Sequence, residues 1–409
     1  MNIPAIVEEI CNAVASADGQ AWLVGGVVRD HLMGIVSKDF DIEVHRVEAD
    51  DLHDLLCTIG PVNEVGRSFG VFKLTRDGIE CDVSIPRHDS QSGERHKDIV
   101  VLGNPYMGIE SAARRRDLTI NSIAYDPLTR TYADPFGGTR DIERGRLQAV
   151  DPATFSEDPL RALRVVQFAA RFGFSVQPDL AKLCKEASLF ALPSERIWGE
   201  LEKLLLRAPA PSIGWSLMHE LQITPKILPD LTSVPTEALN VAIDRAAERR
   251  SSIDGTGRKI ILMLSVLLHR SSPLSVEATL DQLNIHRLHG VQVRKRVQEC
   301  TALWSQLTQS VSDQVLRRLA DQTELTLLAE TAAAASGKSE PLANLDRAAH
   351  LGIAMEPLPT LIKGRDLSTA GVDAGPEMGE ILRRVRDAQI EGEVSDRAGA
   401  LVWLKDYLK

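Results

Sequence analysis

Trp22 to His45 reads WLVGGVVRDHLMGIVSKDFDIEVH. A short apolar run, Trp22 to Val24, enters the glycine pair Gly25-Gly26, and a helical stretch carrying Arg29 and Asp30 follows. The chain then returns as an alternating strand, with Asp39 and Asp41 on one face and Phe40, Ile42 and Val44 on the other. Residues two apart in a strand share a face at a spacing of roughly 6.6–7 Å, close enough for two carboxylates to share metal ions. At that distance they repel by about 2 kcal/mol at an effective dielectric of 20. A hard divalent cation with oxygen ligands is the usual compensation. Glycines without Cβ atoms let backbone N–H groups approach a phosphate, and Arg29 adds a cationic fork. The stretch therefore reads as a triphosphate cradle beside a two-metal carboxylate pair. Strand, glycine pair, helix and strand with D-x-D about fifteen residues on form a far more specific set than either short motif alone.

Composition narrows the remaining classes. A chain of 409 residues exceeds the size at which single cores stop growing, so more than one domain is expected. A net charge of -10 argues against a generally basic coat for nucleic acid, so RNA contacts must come from local clusters. The five cysteines (Cys11, Cys57, Cys81, Cys184, Cys300) are scattered without a C-x-x-C pair, which suggests reduced thiols. The N-terminus lacks the basic and apolar regions of a signal peptide, and no apolar run reaches the length of a membrane span. A soluble cytoplasmic protein is expected.

Along the chain, residues 2–17 and 50–59 read as helices. VFKLT and IECDVSI read as a hairpin around Arg76-Asp77-Gly78. Asp82 falls on its second strand, where it could complete a metal site or serve as general base. Arg87 to Asn104 is polar at its start and reads as a mobile loop; His88 and His96 within it have no zinc-ligand spacing and read as solvated. In ARRRDLTIN, Arg116, Asp117 and Asn121 supply a fork and acceptors suited to phosphate and sugar hydroxyls. DPFGG (Asp134 to Gly138) reads equally well as a simple connector.

From Asp151 onward strand signals give way to helical ones, which places a domain boundary near residue 150. Asp158-Pro159 reads as an N-cap followed by Pro at the first helical position. It reads equally as half of a base-reading pair, with Asp158 accepting from an exocyclic amine and Arg161 donating to a ring nitrogen or carbonyl.

LVGGVVRD with DFD, RRRDLTIN, DPFGG and EDPLRALR, in this order, resemble the motifs of the class II tRNA nucleotidyltransferases, the CCA-adding enzymes and their bacterial poly(A) polymerase relatives; SERIWGELEKLL (Ser194 to Leu205) resembles the supporting helix. The resemblance implies an α+β chain: a polymerase β-like head with a small mixed sheet (1–150), a helical neck with the base-reading helix (151–210), a helical body (211–300) and a tRNA-binding helical tail (301–409). It implies transfer of CMP and AMP from CTP and ATP to a tRNA 3′ end with release of pyrophosphate. Asp39 and Asp41 would hold Mg²⁺, with Asp82 as a further catalytic acid. Gly25, Gly26, Arg29, Asp30 and Arg116 would hold the nucleotide, Asp117 and Asn121 would lie near the sugar, Asp158 and Arg161 would read the base, and Arg164 would support that pair or the phosphates. Relatives often carry a further arginine where this chain has Gln167. The helical region has LLHRSS (Leu267 to Ser272) without an adjacent His-Asp pair, so no phosphohydrolase activity is expected. The long 87–104 segment argues against C-only addition. Addition of the terminal A alone, poly(A) synthesis, a nucleotidylating enzyme for small molecules or proteins, and a catalytically silent tRNA-binding protein remain as alternatives. In the C-terminal half, Ile260 to Leu268 reads as helical core. Arg294, Lys295 and Arg296 read as a solvated face or as a contact to tRNA backbone.

Overall fold

Ile6, Val7, Ile10, Cys11 and Val14 recur at helical spacing and form the buried face of α1 (Ala5–Ser16). The computed structural model describes residues 1, 3–66, 71–91 and 99–408. After α1 the chain enters β1 (Gln20–Val24), turns through Gly25 into α2 (Gly26–Leu32) and returns as β2 (Asp39–His45), followed by α3 (Ala49–Ile59) and β3 (Val62–Gly66). Next comes the hairpin of β4 (Val71–Arg76) and β5 (Ile79–Ser84). Its turn residues Asp77 and Gly78 have φ of 54° and 75°, the left-handed pair that a two-residue type I′ turn requires.

The segment expected to be a mobile loop instead contains two paired strands, β6 (Arg87–Gln91) and β7 (Ile99–Gly103), with Arg87 opposite Gly103 and Gln91 opposite Ile99. The β-branched run IVV at the start of β7 supplies the strand preference, and backbone pairing carries the polar β6 with it. His88 stands opposite Leu102 in this register, whereas His96 lies outside the described residues.

Helix α4 (Ile109–Arg114), a 3₁₀ turn at Thr119–Asn121, β8 (Ala124–Asp126), β9 (Thr131–Ala133) and α5 (Gly138–Glu143) complete the head. Seven strands form one sheet in the order β3-β4-β5-β2-β1-β8-β9. β2 and β5 run parallel, with Asp41 opposite Asp82, while the other described neighbours run antiparallel. One face packs Leu23, Ile42, Val44, Phe72 and Val83 against α1 and α3 as the main core of the head. The opposite face carries Asp39, Asp41, Glu43 and His45, beside a small cluster of Trp22, Val24 and Ala124.

Strand structure extends a little past the expected change of texture. β10 (Arg146–Leu147) pairs in parallel with β11 (Ser175–Val176), and α6 (Pro152–Phe155) and α7 (Leu160–Phe172) lie between them. By internal contacts the chain divides into Met1–Leu192 with Glu220–Ile223, and Pro193–His219 with Thr224–Lys409. The described residues of the second unit form no strand. Ile260 to Leu268 is buried along its whole length as part of the helix Thr256–Leu268, and Ile362, Leu367, Ile381, Val385 and Leu404 form a separate small core near the C-terminus. No described helix is long and apolar enough to cross a membrane.

DPFGG proves to be a packing device. Asp134 accepts from the Gly138 and Thr139 N–H groups at 2.7 and 2.9 Å, which starts α5 against the Thr119–Asn121 turn. A Cβ on Gly138 would lie 2.1 Å from the Thr119 carbonyl oxygen, a backbone atom with no flexible side chain to yield. Gly138→Ala is therefore expected to destabilise the first unit by about 2–3 kcal/mol. Gly60→Ala, in open space at a φ of -179°, should change stability by less than about 0.5 kcal/mol. Urea unfolding of the two variants beside the parent checks both.

Candidate active site

Alternation along β2 puts Asp39, Asp41 and Glu43 on one face, and their surroundings then diverge. Asp39 and Asp41 are exposed, whereas Glu43 is buried. Although the surface of Asp41 is open, dense packing around its carboxylate raises its pKa; Arg116 opposes that rise, and Asp82 and Asp39 add to it. Asp82, its cross-strand partner, is bridged at 2.9 Å by Lys73 from β4. This set offers hard carboxylate oxygens at adjacent positions, the donors a hard divalent cation takes. Among the described residues no group of three or more His, Cys, Asp or Glu is gathered closely enough to hold a metal, so the pair on β2 is the nucleus of the acidic set.

Glu43 was missing from the sequence-based candidates, although its position two residues after Asp41 marks it for the same face. Its Oε2 lies 3.2 Å from Arg115 and 3.6 Å from Arg116, and its Oε1 lies 3.3 Å from His45 Nε2. Burial alone would raise its pKa; His45 and the two arginines outweigh that and pull it down to about 2. Glu43 thus holds two of the three consecutive arginines against the carboxylate face.

Gly25 stands where these groups converge. Its φ is +70°, and a Cβ there would meet Arg116 Nη1 at 3.1 Å and Asp41 Oδ2 at 3.5 Å. The glycine is needed both for its left-handed backbone and for this close approach. Gly26 is less confined, with Arg29 Nη2 at 3.5 Å from the corresponding position.

Arg29 is buried rather than presented as an open fork. It donates to Asp30 Oδ1 through Nε and Nη2 at 2.8 and 2.6 Å, and to Asn121 Oδ1 through Nη1 at 2.6 Å. Its guanidinium lies over Phe168 and Phe172 of α7, 5.0 Å from each ring centroid. Asp30 meets Arg171 of the same helix at 3.6 Å. Asn121 in turn donates to Asp117 Oδ1 at 2.9 Å, and Arg164 Nε donates to Asp117 Oδ2 at 2.7 Å. Phe168 and Phe172 were not foreseen, because their spacing on α7 reads equally as ordinary core.

Helix α7 starts at Leu160 with Pro159 at its N-cap, one residue later than expected; Asp158, just ahead of it, accepts from the Leu160 N–H at 3.1 Å. Arg161 donates to the carbonyls of Thr154 and Arg115 at 2.8 and 2.6 Å. Gln167 is buried in the same helix. In the second unit, Arg294 pairs with Asp281 and Glu277, Arg296 with Glu299 at 2.9 Å, and Lys295 approaches Glu299 at 3.8 Å. That basic cluster is thus largely balanced by its own neighbours.

Burial alone would raise the pKa of Asp117, but Arg164, Asn121 and the Leu118 N–H hold it below the ordinary carboxylate value. A carboxyl depressed on folding stabilises above its unfolded pKa, and that contribution fades as pH falls through the lower folded value. Asp117→Asn should therefore cost about 2 kcal/mol at pH 7. The gap to the parent should close progressively below about pH 4. Urea unfolding across pH 7 to 3 measures both, and a gap independent of pH would show that the charge is not what stabilises.

Comparison with known proteins fits this geometry. Residues 21–148 match the family model "Poly A polymerase head domain", residues 173–234 match "Probable RNA and SrmB- binding site of polymerase A", and residues 258–404 match the model of tRNA nucleotidyltransferase domain 2. The chain is 35% identical over 264 residues to the multifunctional CCA protein of Tolumonas auensis, covering 63% of this chain and 60% of that one. It is 38% identical over 220 residues to that of Stenotrophomonas maltophilia, covering 52% of each. The chain thus spans only between about half and three-fifths of these relatives' length. A CCA-adding enzyme of Pseudomonas putida is 29% identical over 383 residues, covering 90% of this chain and 96% of the relative. The fold is that of the Bacillus stearothermophilus CCA-adding enzyme solved with CTP, with a TM-score of 0.75 at 23% identity over 99% of this chain and 98% of that one. The Thermotoga maritima CCA-adding enzyme solved with tRNA superposes with a TM-score of 0.68 at 21% identity, over 100% and 97% of the two chains. Three models of poly(A) polymerase and tRNA nucleotidyltransferase domains thus match in order along the chain.

Proposed function

We propose that this protein is a nucleotidyltransferase that adds C, C and A from CTP and ATP to the 3′ end of tRNA, releasing pyrophosphate. The observation that carries this reading is the convergence of Asp41, Gly25 and Arg116, with a Gly25 Cβ position within 3.5 Å of both side chains. A carboxylate for a cation, a backbone able to approach phosphate and a guanidinium for its oxygens meet at one point. The names of the relatives point to the same chemistry.

Asp39 and Asp41 would hold the divalent cations that family members use, here Mg²⁺. When bound, such ions lower the pKa of the attacking hydroxyl and stabilise the leaving pyrophosphate. Asp82, balanced by Lys73, takes the third place in the acidic set, as ligand or as base on that hydroxyl. Arg116, oriented by Glu43, faces the triphosphate beside Gly25 and Gly26. Arg29, Asp30, Asp117, Asn121 and Arg164 act mainly by fixing α7 against the head. Asp158 and Arg161 then read the base edge, with Arg161 exchanging its two carbonyl acceptors for the nucleotide. Little covalent chemistry is asked of the protein beyond positioning and charge neutralisation.

The divisions at residues 150, 210 and 300 belong to this reading as head, neck, body and tail, with tRNA as partner in the cytoplasm. Within the balanced basic cluster, Lys295, whose side chain is 73% exposed, is the residue best placed to meet RNA backbone.

The test uses purified protein, Mg²⁺ and three tRNA transcripts ending before CCA, after C and after CC, each supplied with CTP, ATP or both, with products resolved at single-nucleotide length. Stepwise completion of all three is expected, with a loss of at least about a thousandfold in Asp39→Ala, as when a group central to charge stabilisation is removed. Extension of only the CC-ended transcript by one A would replace this reading with A-only addition. Long A tails would replace it with poly(A) synthesis, and binding without extension with a silent tRNA-binding protein.

A further inference from the structure

The carboxylate face of the sheet continues past Glu43 into a second cavity, of about 390 Å³, lined by Gln20, Trp22, His45, Arg46, Tyr106 and Met107 among others. None of these residues has a part in the nucleotide site described above except His45, which touches Glu43 from the far side. The cavity is built by the end of β2 gripping the segment after β7. His45 Nδ1 donates to the Met107 carbonyl at 2.8 Å, and the Arg46 N–H donates to the Pro105 carbonyl at 2.8 Å. Arg46 adopts a left-handed backbone, with φ of 66°. A bulky residue rarely takes that conformation, and where it persists the surroundings impose it, often at a functional site. Here it directs an exposed guanidinium toward Gln20, 3.4 Å from its Oε1. Tyr106 is 68% exposed on the same rim, a position at which burial gives an aromatic ring no reason to stand.

We infer that this cavity is a binding subsite for an unpaired nucleotide upstream of the RNA 3′ end, with a base stacked on Tyr106 and a phosphate held by Arg46. The inference rests on the proposed function, which puts the 3′ hydroxyl at Asp41. His45 lies four residues further along β2 on the same face, about 13 Å away at the rise of a strand, within reach of a few nucleotides of single strand. An aromatic ring beside a cation is the pairing that captures single-stranded nucleic acid without reading its sequence. The apolar face of Trp22 fits a base ring; Gln20 is engaged within the protein, donating to Asp126 Oδ2 at 3.4 Å and accepting from Arg46, and no carboxylate is among the residues that line the cavity.

The test is direct binding of fluorescently labelled tRNA ending in CC, without nucleotide, to the parent, Tyr106→Ala and Arg46→Gly, with KM for ATP measured in parallel. Stacking on one ring corresponds to at least about a fivefold weakening of tRNA binding in Tyr106→Ala. Arg46→Gly keeps the left-handed backbone without strain, so its thermal stability should match or exceed that of the parent while tRNA binding weakens and the salt dependence of log Kd falls by about one charge. KM for ATP should stay within about twofold in both. Tight tRNA binding by both variants would overturn the subsite, as would KM for ATP rising in step with Kd for tRNA, or failure of the parent to bind tRNA. A parent that binds tRNA and does not extend it would refute the proposed activity, and the subsite would still be judged on the Kd values.

Discussion

The arrangement depends above all on one buried carboxylate, Asp117. It accepts from the Leu118 N–H, from Asn121 and from Arg164, and through Asn121 it is joined to Arg29 and Asp30. A buried charge is stable only when paired and hydrogen-bonded, so each of these groups is held by the needs of the others. The consequence is geometric: the helix that begins with Asp158 and Arg161 cannot shift relative to the strand bearing Asp39 and Asp41 without exposing an uncompensated charge. The phenylalanines over Arg29 reinforce the same joint from its apolar side.

Much of this was legible in the sequence because it depends on short periods. The two-residue alternation of DFDIEV separates the acidic face from the core, and Asp77-Gly78 announces its turn. The change to helical spacing near residue 150 marks real helices, although β11 reaches back to pair with β10. Over 87–91 and 99–103 the expected loop is a ladder instead, because such pairing depends on backbone groups, and a polar strand such as β6 leaves little trace in side-chain pattern.

What was not legible is where each charge turns. Arg29, Arg116 and Arg161 look alike in sequence, and all three suit phosphate or base edges. In the fold, Arg29 is enclosed by Asp30, Asn121 and two rings, Arg161 is committed to two carbonyls, and Arg116 stands at Gly25 beside Asp41. Glu43 was overlooked for the complementary reason: a buried glutamate is improbable by composition alone, and only the nearby arginines and His45 make it stable. The partners that decide these roles lie far away in the chain, so local pattern could not supply them.

The parallel pairing of β2 with β5 carries a consequence for how the molecule assembles. The β4–β5 hairpin closes locally through two residues, so Asp82 is set on its strand early and cheaply. Bringing that strand beside β2 requires closing a much longer loop, through α3 and β3, and the entropy of that closure comes before the contacts that reward it. Asp41 and Asp82 therefore meet only after the hairpin that carries Asp82 has closed, and the acidic face depends on a pairing between segments distant in the chain.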